Sequence, residues 1–181
     1  MFNITKVNKE LRSSNTIIWH KSKGFDYITN GYFAIKLDLN NYRKILGTLV
    51  EIFEVMPRVN QTLNFTKAFC KKMDTDSVNE MKKHEFIGWI DKRKVSEIEN
   101  TGLFYKEFEK LMGIFKGEDY IYVDTKYLDL IQNSYVLRYE GGEKFSPVFI
   151  SCDEEVIMIM PVRICEDNRF LVKEKDLSSG N

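Results

Sequence analysis

The sequence predicts an α+β protein of antiparallel sheets with helices packed on one face. Three observations carry this expectation. Asn30-Gly31 sits between two runs rich in aromatic and β-branched residues. A long amphipathic helical stripe follows. The last third of the chain reads strand, helix, strand, strand, strand.

The first forty residues read as strands. Residues 15–20 and 25–29 have strand composition, and residues 32–38 continue it after the turn. Asn-Gly favours a tight hairpin there, because both central positions of such a turn need positive φ. Tyr42, Ile45, Leu46, Leu49, Ile52, Phe53 and Met56 then recur at helical spacing. Asn40 or Asn41 is the expected N-cap, and Pro57 follows the end. The simplest place for this stripe is against the preceding sheet.

Residues 60–118 are the hardest part to read. Short helices are expected at 67–73 and 77–83, and a strand at 86–90. Phe104, Phe108, Leu111, Met112 and Phe115 form a second helical stripe, with Gly117 as its stop.

Beyond this segment the expected order is a strand at 120–124, a short helix at 125–132, and strands at 134–140, 147–152, 155–164 and 169–173. Gly141-Gly142 is a turn, and the tail from Leu177 to Asn181 frays. In the 155–164 strand, Val156, Met158, Met160, Val162 and Ile164 share one face, and Ile157 and Ile159 the other. Pro161 cannot donate to a ladder, so this strand is expected at a sheet edge or bent there. Two readings of its methionines stand side by side: an adaptable apolar surface suited to peptide capture, or ordinary core.

Composition bounds the function. The 181 residues suit one ordinary domain or two small ones. Hydrophobic residues at 43% and charged residues at 30% give a core with a solvated surface, which excludes a disordered chain. Lys plus Arg is 27 and Asp plus Glu is 27, a net charge of zero. Any nucleic-acid contact must therefore come from a local patch. No apolar run has the length of a membrane span, and no signal-peptide core opens the chain. Cys70, Cys152 and Cys165 are odd in number and lack C-x-x-C spacing, which argues against a disulfide framework or zinc site and for a reducing cytoplasm.

Catalytic chemistry is not indicated. His20 and His84 have no ligand-spaced partners, and Lys82-Lys83-His84-Glu85 reads as a solvated face. No phosphate-cradling glycine loop occurs. Asp74, Asp76 and Asp153-Glu154-Glu155 read as loop carboxylates rather than a magnesium site. No nucleophile–base pair is supported by spacing. No cofactor or metal is expected, and the chain is read as a binding protein and not an enzyme.

Two segments resemble the bacterial DNA sliding clamp, the beta subunit of DNA polymerase III. The stronger runs from Tyr122 to Ile164. It contains Val123-Asp124-Thr125-Lys126-Tyr127-Leu128-Asp129-Leu130-Ile131, then Tyr135-Val136-Leu137-Arg138-Tyr139. Phe145-Ser146-Pro147-Val148-Phe149-Ile150 follows, and Ile157-Met158-Ile159-Met160-Pro161-Val162-Arg163-Ile164 ends it. The order and spacing are similar to those of clamps over some forty residues. The weaker segment, Thr29-Asn30-Gly31-Tyr32-Phe33-Ala34, is similar to the Thr-Asp-Gly-His/Tyr-Arg-Leu run of the clamp's middle domain. It also reads as a plain Asn-Gly hairpin.

The resemblance implies a DNA-clamp-like fold with a groove for short hydrophobic partner peptides. Carried over, the groove uses Thr29, Gly31, Tyr32 and Ala34 with Pro147, Val148, Met158 and Met160. It implies helices whose Arg43, Lys44 and Lys126 touch duplex DNA without reading sequence. The basic cluster Lys92-Arg93-Lys94 has no counterpart in the family.

The expected organisation is an N-terminal half, 1–118, with an insertion at 60–118, and a C-terminal half, 119–181, with an extra tail strand. Phe33 stands where clamps have arginine, and Ala34 where they have leucine. The chain is shorter than a three-domain clamp protomer and continues past the usual end through Cys165–Asn181, where Arg169–Val172 is a candidate strand covering the groove. Ring formation and homo-oligomerisation therefore stay open, and the small size suits a phage or mobile element. Two functions follow: a clamp-like accessory protein of DNA replication or repair, or a stand-alone interaction module acting as decoy or inhibitor of a host replication complex.

Overall fold

The structure, a computed structural model, describes residues 1–68, 76–107, 110–132, 135–163 and 171–173. The chain opens with α1 (Ile4–Ser13), β1 (Thr16–Lys21), β2 (Asp26–Thr29), β3 (Phe33–Leu37), α2 (Arg43–Phe53), β4 (Thr62–Thr66) and β5 (Ser77–Met81). It continues with α3 (Glu85–Asp91), β6 (Ser96–Glu97), β7 (Glu99–Glu107), β8 (Lys110–Lys116), β9 (Tyr120–Asp124) and α4 (Thr125–Leu128). The last elements are β10 (Arg138–Gly141), β11 (Val148–Cys152), β12 (Glu155–Ile159) and β13 (Leu171–Lys173).

All strand pairs are antiparallel. Nine strands form one sheet in the order β5-β4-β1-β2-β3-β12-β11-β10-β6. Four form a second, β13-β7-β8-β9. The α+β class with antiparallel sheets is the observed one.

The nine-stranded sheet is closed in its middle by β3 and β12, which are remote in sequence. Their register sets Phe33 opposite Ile159, Ala34 opposite Met158, Ile35 opposite Ile157 and Lys36 opposite Val156. Alternate residues of a strand face opposite sides, and here both sides are apolar. Phe33, Ile35, Leu37, Ile157 and Ile159 enter the larger core, where Val7 and Leu11 of α1, Ile45, Leu49 and Phe53 of α2, and Tyr127 of α4 meet them. Ala34, Val156 and Met158 enter a smaller cluster on the reverse side, against Phe86, Ile87 and Ile90 of α3. Thus α1, α2 and α4 share one face of the sheet, and among the described residues α3 is the helix on the other.

The structure corrects several expectations. The first forty residues include α1, capped by Asn3, whose side chain accepts from the Lys6 amide. Neither Asn40 nor Asn41 caps α2; Tyr42 holds that position without a side-chain cap bond, and the Asp38 carboxylate instead accepts from the Asn40 backbone amide. Residues 77–81 form a strand and not a helix, paired to β4. Residues 86–90 lie in helix α3 rather than a strand, because Phe86, Ile87 and Ile90 present one face at helical spacing to the sheet. The expected helix at 104–115 is the β7–β8 hairpin; Phe108 lies outside the described residues. Tyr105, Met112 and Ile114 face one side and Phe115 the other, a period of two that a helical count matches by accident. Gly102, at φ +64°, shifts the register of this hairpin, as a left-handed residue does at a bulge. Gly113 lets α4 approach, since a Cβ there would come within 2.7 Å of the Leu128 Cδ1.

The strand around Met158 is interior, between β3 and β11, and not at an edge. It ends at Ile159, before Pro161, so no ladder bond is lost to the proline. Of the expected tail strand, Leu171–Lys173 joins β7 at the rim of the second sheet; Arg169 and Phe170 lie outside the described residues. So do residues 69–73 of the expected 67–73 helix, Cys70, Asp74, Ile164, Cys165 and the tail after Lys173.

Buried polar groups in the first three strands have partners. The Trp19 indole N–H donates to Asp26 Oδ1 at 2.8 Å, and His20 Nδ1 lies 2.9 Å from Thr62 Oγ1. Burial, then the Lys83 ammonium, lowers the His20 pKa against an opposing pull from Asp91. The folded value therefore lies below the unfolded one. The stabilisation is present above the ordinary histidine pKa of about 6.5 and is lost as pH falls towards the folded value. Urea unfolding from about pH 7 to 5 should show a falling midpoint. His20→Gln should flatten part of that fall, and an identical pH dependence in both proteins would refute the assignment.

Candidate functional site

The candidate peptide-binding residues lie on and beside a row that crosses four strands. Thr29 of β2 is opposite Ala34 of β3, Ala34 is opposite Met158 of β12, and Met158 is opposite Phe149 of β11. Directly opposed residues share a face, so these four side chains form one strip. At its end the turn 30–32 is fixed by local bonds. Asn30 Oδ1 accepts from the amides of Tyr32 at 3.1 Å and Phe33 at 3.3 Å, and Thr29 Oγ1 accepts from the Gly31 amide at 3.0 Å. Gly31 adopts φ +91°, which a side chain would strain. The Met160 amide donates to the Tyr32 carbonyl at 2.9 Å, placing Met160 next to that turn.

The other candidates sit differently. Val148 is fully buried on the opposite face, in the core beneath α1, α2 and α4. Pro147 is half-buried just before β11. Tyr32 is 64% exposed, and its ring stacks on Tyr127 at 6.3 Å with an interplanar angle of 13°. Phe149, which takes the place in the strip expected of Val148, was not singled out from the sequence. The period of two, started from the register of Met158, would have found it.

The strip is not open along its length. Thr29, Ala34, Phe149 and Met158 are all buried, while Met160 is only half-buried. The cover is α3, seven residues long. Its Phe86, Ile87 and Ile90 pack on Tyr27, Ala34, Phe149, Val156 and Met158. Polar contacts clasp its end. The Tyr27 hydroxyl donates to Asp91 at 2.8 Å, and Lys36 Nζ lies 3.2 Å from the same carboxylate. Burial, then the Asp91 carboxylate, pushes the Tyr27 hydroxyl above its ordinary range, so it remains a donor. Arg93 pairs with Glu140 at 2.8 Å, donates to the Ile90 carbonyl and lies 5.8 Å from the Phe149 ring centre. The basic cluster 92–94 thus contributes Arg93 to holding α3.

The candidate DNA-contact residues lie on the opposite, helical face. Arg43 and Lys44 are exposed on α2 and Lys126 on α4. The helix α1 adds Lys6, Lys9 and Arg12, which sequence reasoning missed because it read this segment as strand. Ile4, Val7 and Leu11 after Asn3 were the available signal. Carboxylates answer part of this charge: Lys6 pairs with Asp129 at 3.1 Å, Arg12 with Glu51 at 2.6 Å, and Lys126 with Glu10 at 3.4 Å. Among the described residues, Lys9, Arg43 and Lys44 form no ion pair. Asn8 Nδ2 donates to the Lys44 carbonyl at 3.3 Å, which ties α1 to α2 beside these cations.

Among the described residues, no group of three or more His, Cys, Asp or Glu side chains is placed to hold a metal. Among them, no helix is long and apolar enough to cross a membrane.

No protein-family model matches the chain, and no curated protein sequence matches it. Among solved structures, the chain is similar to the DNA polymerase III beta chain from Streptococcus pneumoniae. The identity is 9% and the TM-score 0.34, over 91% of this chain and 64% of that one. This chain thus spans less than two thirds of that structure, and a superposition of this quality fixes no residue correspondence.

The burial contrast between Met158 in β12 and Met160 just beyond it gives a direct test. Met158→Ala should cost about 2–5 kcal/mol in urea unfolding, as a deletion from a packed core does. Met160→Ala should cost about 1 kcal/mol or less. Equal costs would show that Met160 is core as well.

Proposed function

We propose that this chain is a clamp-like accessory protein of DNA replication or repair. It acts in the cytoplasm by binding, not by catalysis, and its partner presents a short hydrophobic peptide. One observation carries the reading: the pairing of β3 with β12 sets the Thr29–Ala34 segment beside Met158 and Met160. Those are the two stretches from which the sequence resemblance builds a peptide groove. Met160 lies at the open end of the strip, next to exposed Tyr32.

In this reading the chain divides into halves at 1–118 and 119–181. The helical face contacts duplex DNA through phosphates, using Arg43, Lys44 and Lys126 with Lys9 beside them. The affinity is weak, because Glu10, Glu51 and Asp129 neutralise neighbouring cations. That neutralisation also favours a second reading, a stand-alone interaction module that never encircles DNA and acts as a decoy or inhibitor of a replication complex.

Two measurements test these readings. Fluorescein-labelled hexapeptides rich in leucine and phenylalanine should bind the wild-type chain, and Met160→Asp should abolish binding while circular dichroism stays unchanged. Unchanged peptide affinity in the variant rejects the groove. For DNA, the affinity for a duplex should fall with salt at a slope of about −0.9 per phosphate contacted, and Lys9, Arg43 and Lys44 changed together to Glu should remove it. Absent salt-sensitive binding, with a monomer or dimer by light scattering, favours the interaction module.

A further inference from the structure

We infer that α3 is a displaceable plug: the chain's own helix occupies the apolar strip and must leave before a partner's short apolar segment can lie there. The proposal rests on the strip being a docking face and adds how access to it is controlled.

The occupant is visible in the structure. Phe86, Ile87 and Ile90 are at most 2% exposed, and what buries them is the face containing Ala34, Phe149 and Met158. The plug is also poorly suited to stand alone. Its seven residues include Gly88 and two isoleucines, and a helix this short does not hold in water without tertiary contacts. On its outer side Gly88 and Trp89 are exposed, so nothing among the described residues packs over it.

The sheet beneath has a separate source of order. Its strands are joined by continuous ladders from β1 through β2, β3 and β12 to β11, and none of these bonds passes through α3. Its other face is filled by α1, α2 and α4. Release of α3 therefore exposes one apolar strip and leaves the larger core intact. What retains the helix besides its apolar side chains is a small set of contacts at its C-terminal end, centred on Asp91 and Arg93. The kind of segment that fits is set by the plug itself: an aromatic residue, then aliphatic residues one and four positions later, on a short helix.

The test uses the whole chain. Hydrogen exchange read by mass spectrometry should show amides 87–92 exchanging at least about tenfold faster than those of β3 and β12, the signature of opening below the global level. Asp91→Ala removes the acceptor for Tyr27 and Lys36, and it should speed exchange of 87–92 by about tenfold while leaving β3 and β12 unchanged. A labelled synthetic peptide of residues 84–93 should bind the Asp91→Ala chain at least about tenfold more tightly than the wild-type chain. Equal exchange rates across α3 and the strands beneath it overturn the proposal, because the helix would then open only with the whole fold. Independent opening of α3 without binding of the 84–93 peptide to Asp91→Ala overturns it too, since the exposed strip would accept nothing. Failure of the docking reading is seen elsewhere, in hexapeptide affinity that Met160→Asp does not change.

Discussion

The ladder between β3 and β12 is the constraint on which the rest of the structure depends. It joins the strands formed early in the chain to those formed late, and it fixes which side chains face which core. A slip of one residue would send Ile157 and Ile159 to the α3 side and Met158 to the other. The larger core would then receive Val156 and Met158 in place of the two isoleucines that pack with Phe33 and Ile35. Register here is set by the complementary sizes of the two clusters, because both faces of the sheet are apolar and polarity alone does not choose between them.

The two faces have different characters as a result. Three helices cover one side and turn a mixed-charge surface outward, with cations on α1, α2 and α4 partly matched by carboxylates. Among the described residues, α3 is the helix on the other side, across the middle of the sheet. A large core with many elements is costly to open, whereas a small cluster under a single short helix is not. The smaller cluster contains Met158 of β12, with Met160, just beyond the strand, packed partly against it.

Much of this was legible in the sequence. The helix at 43–53 could be read because its apolar residues keep a period of 3.6 over three turns. The strands expected at 120–124 and 147–152 could be read because alternation and turn residues bound them, and the strand expected at 155–164 is present over its first half, 155–159. The alternation of Ile157 and Ile159 against Val156 and Met158 is the observed division between the two clusters. Three kinds of signal failed. Residues 99–116 are apolar on both faces, so a count of helical spacings finds matches in a hairpin; Gly102 and Gly113 were the evidence against a helix. Residues 85–91 form a run too short for periodicity to separate helix from strand. For α1, the apolar stripe is only Ile4, Val7 and Leu11 in ten residues, a weak periodic signal directly before aromatic-rich strands. As for the candidate site, the row Thr29, Ala34, Met158 depends on pairing between remote strands, which no local pattern specifies. Only a resemblance suggested it, and the same resemblance put forward Val148, whose side chain the pleat sends the other way. No local signal told of the cover over the strip.

The order of synthesis meets the β3–β12 ladder in a particular way. A ribosome delivers β1, β2, β3 and β4 long before β12, so any sheet these four strands form before β12 is made has Phe33–Leu37 as an outer strand, with apolar Phe33, Ile35 and Leu37 on one face. Such an edge is the kind of surface to which chaperones and other nascent chains adhere. Pairing with β12 is what removes that edge from the finished sheet.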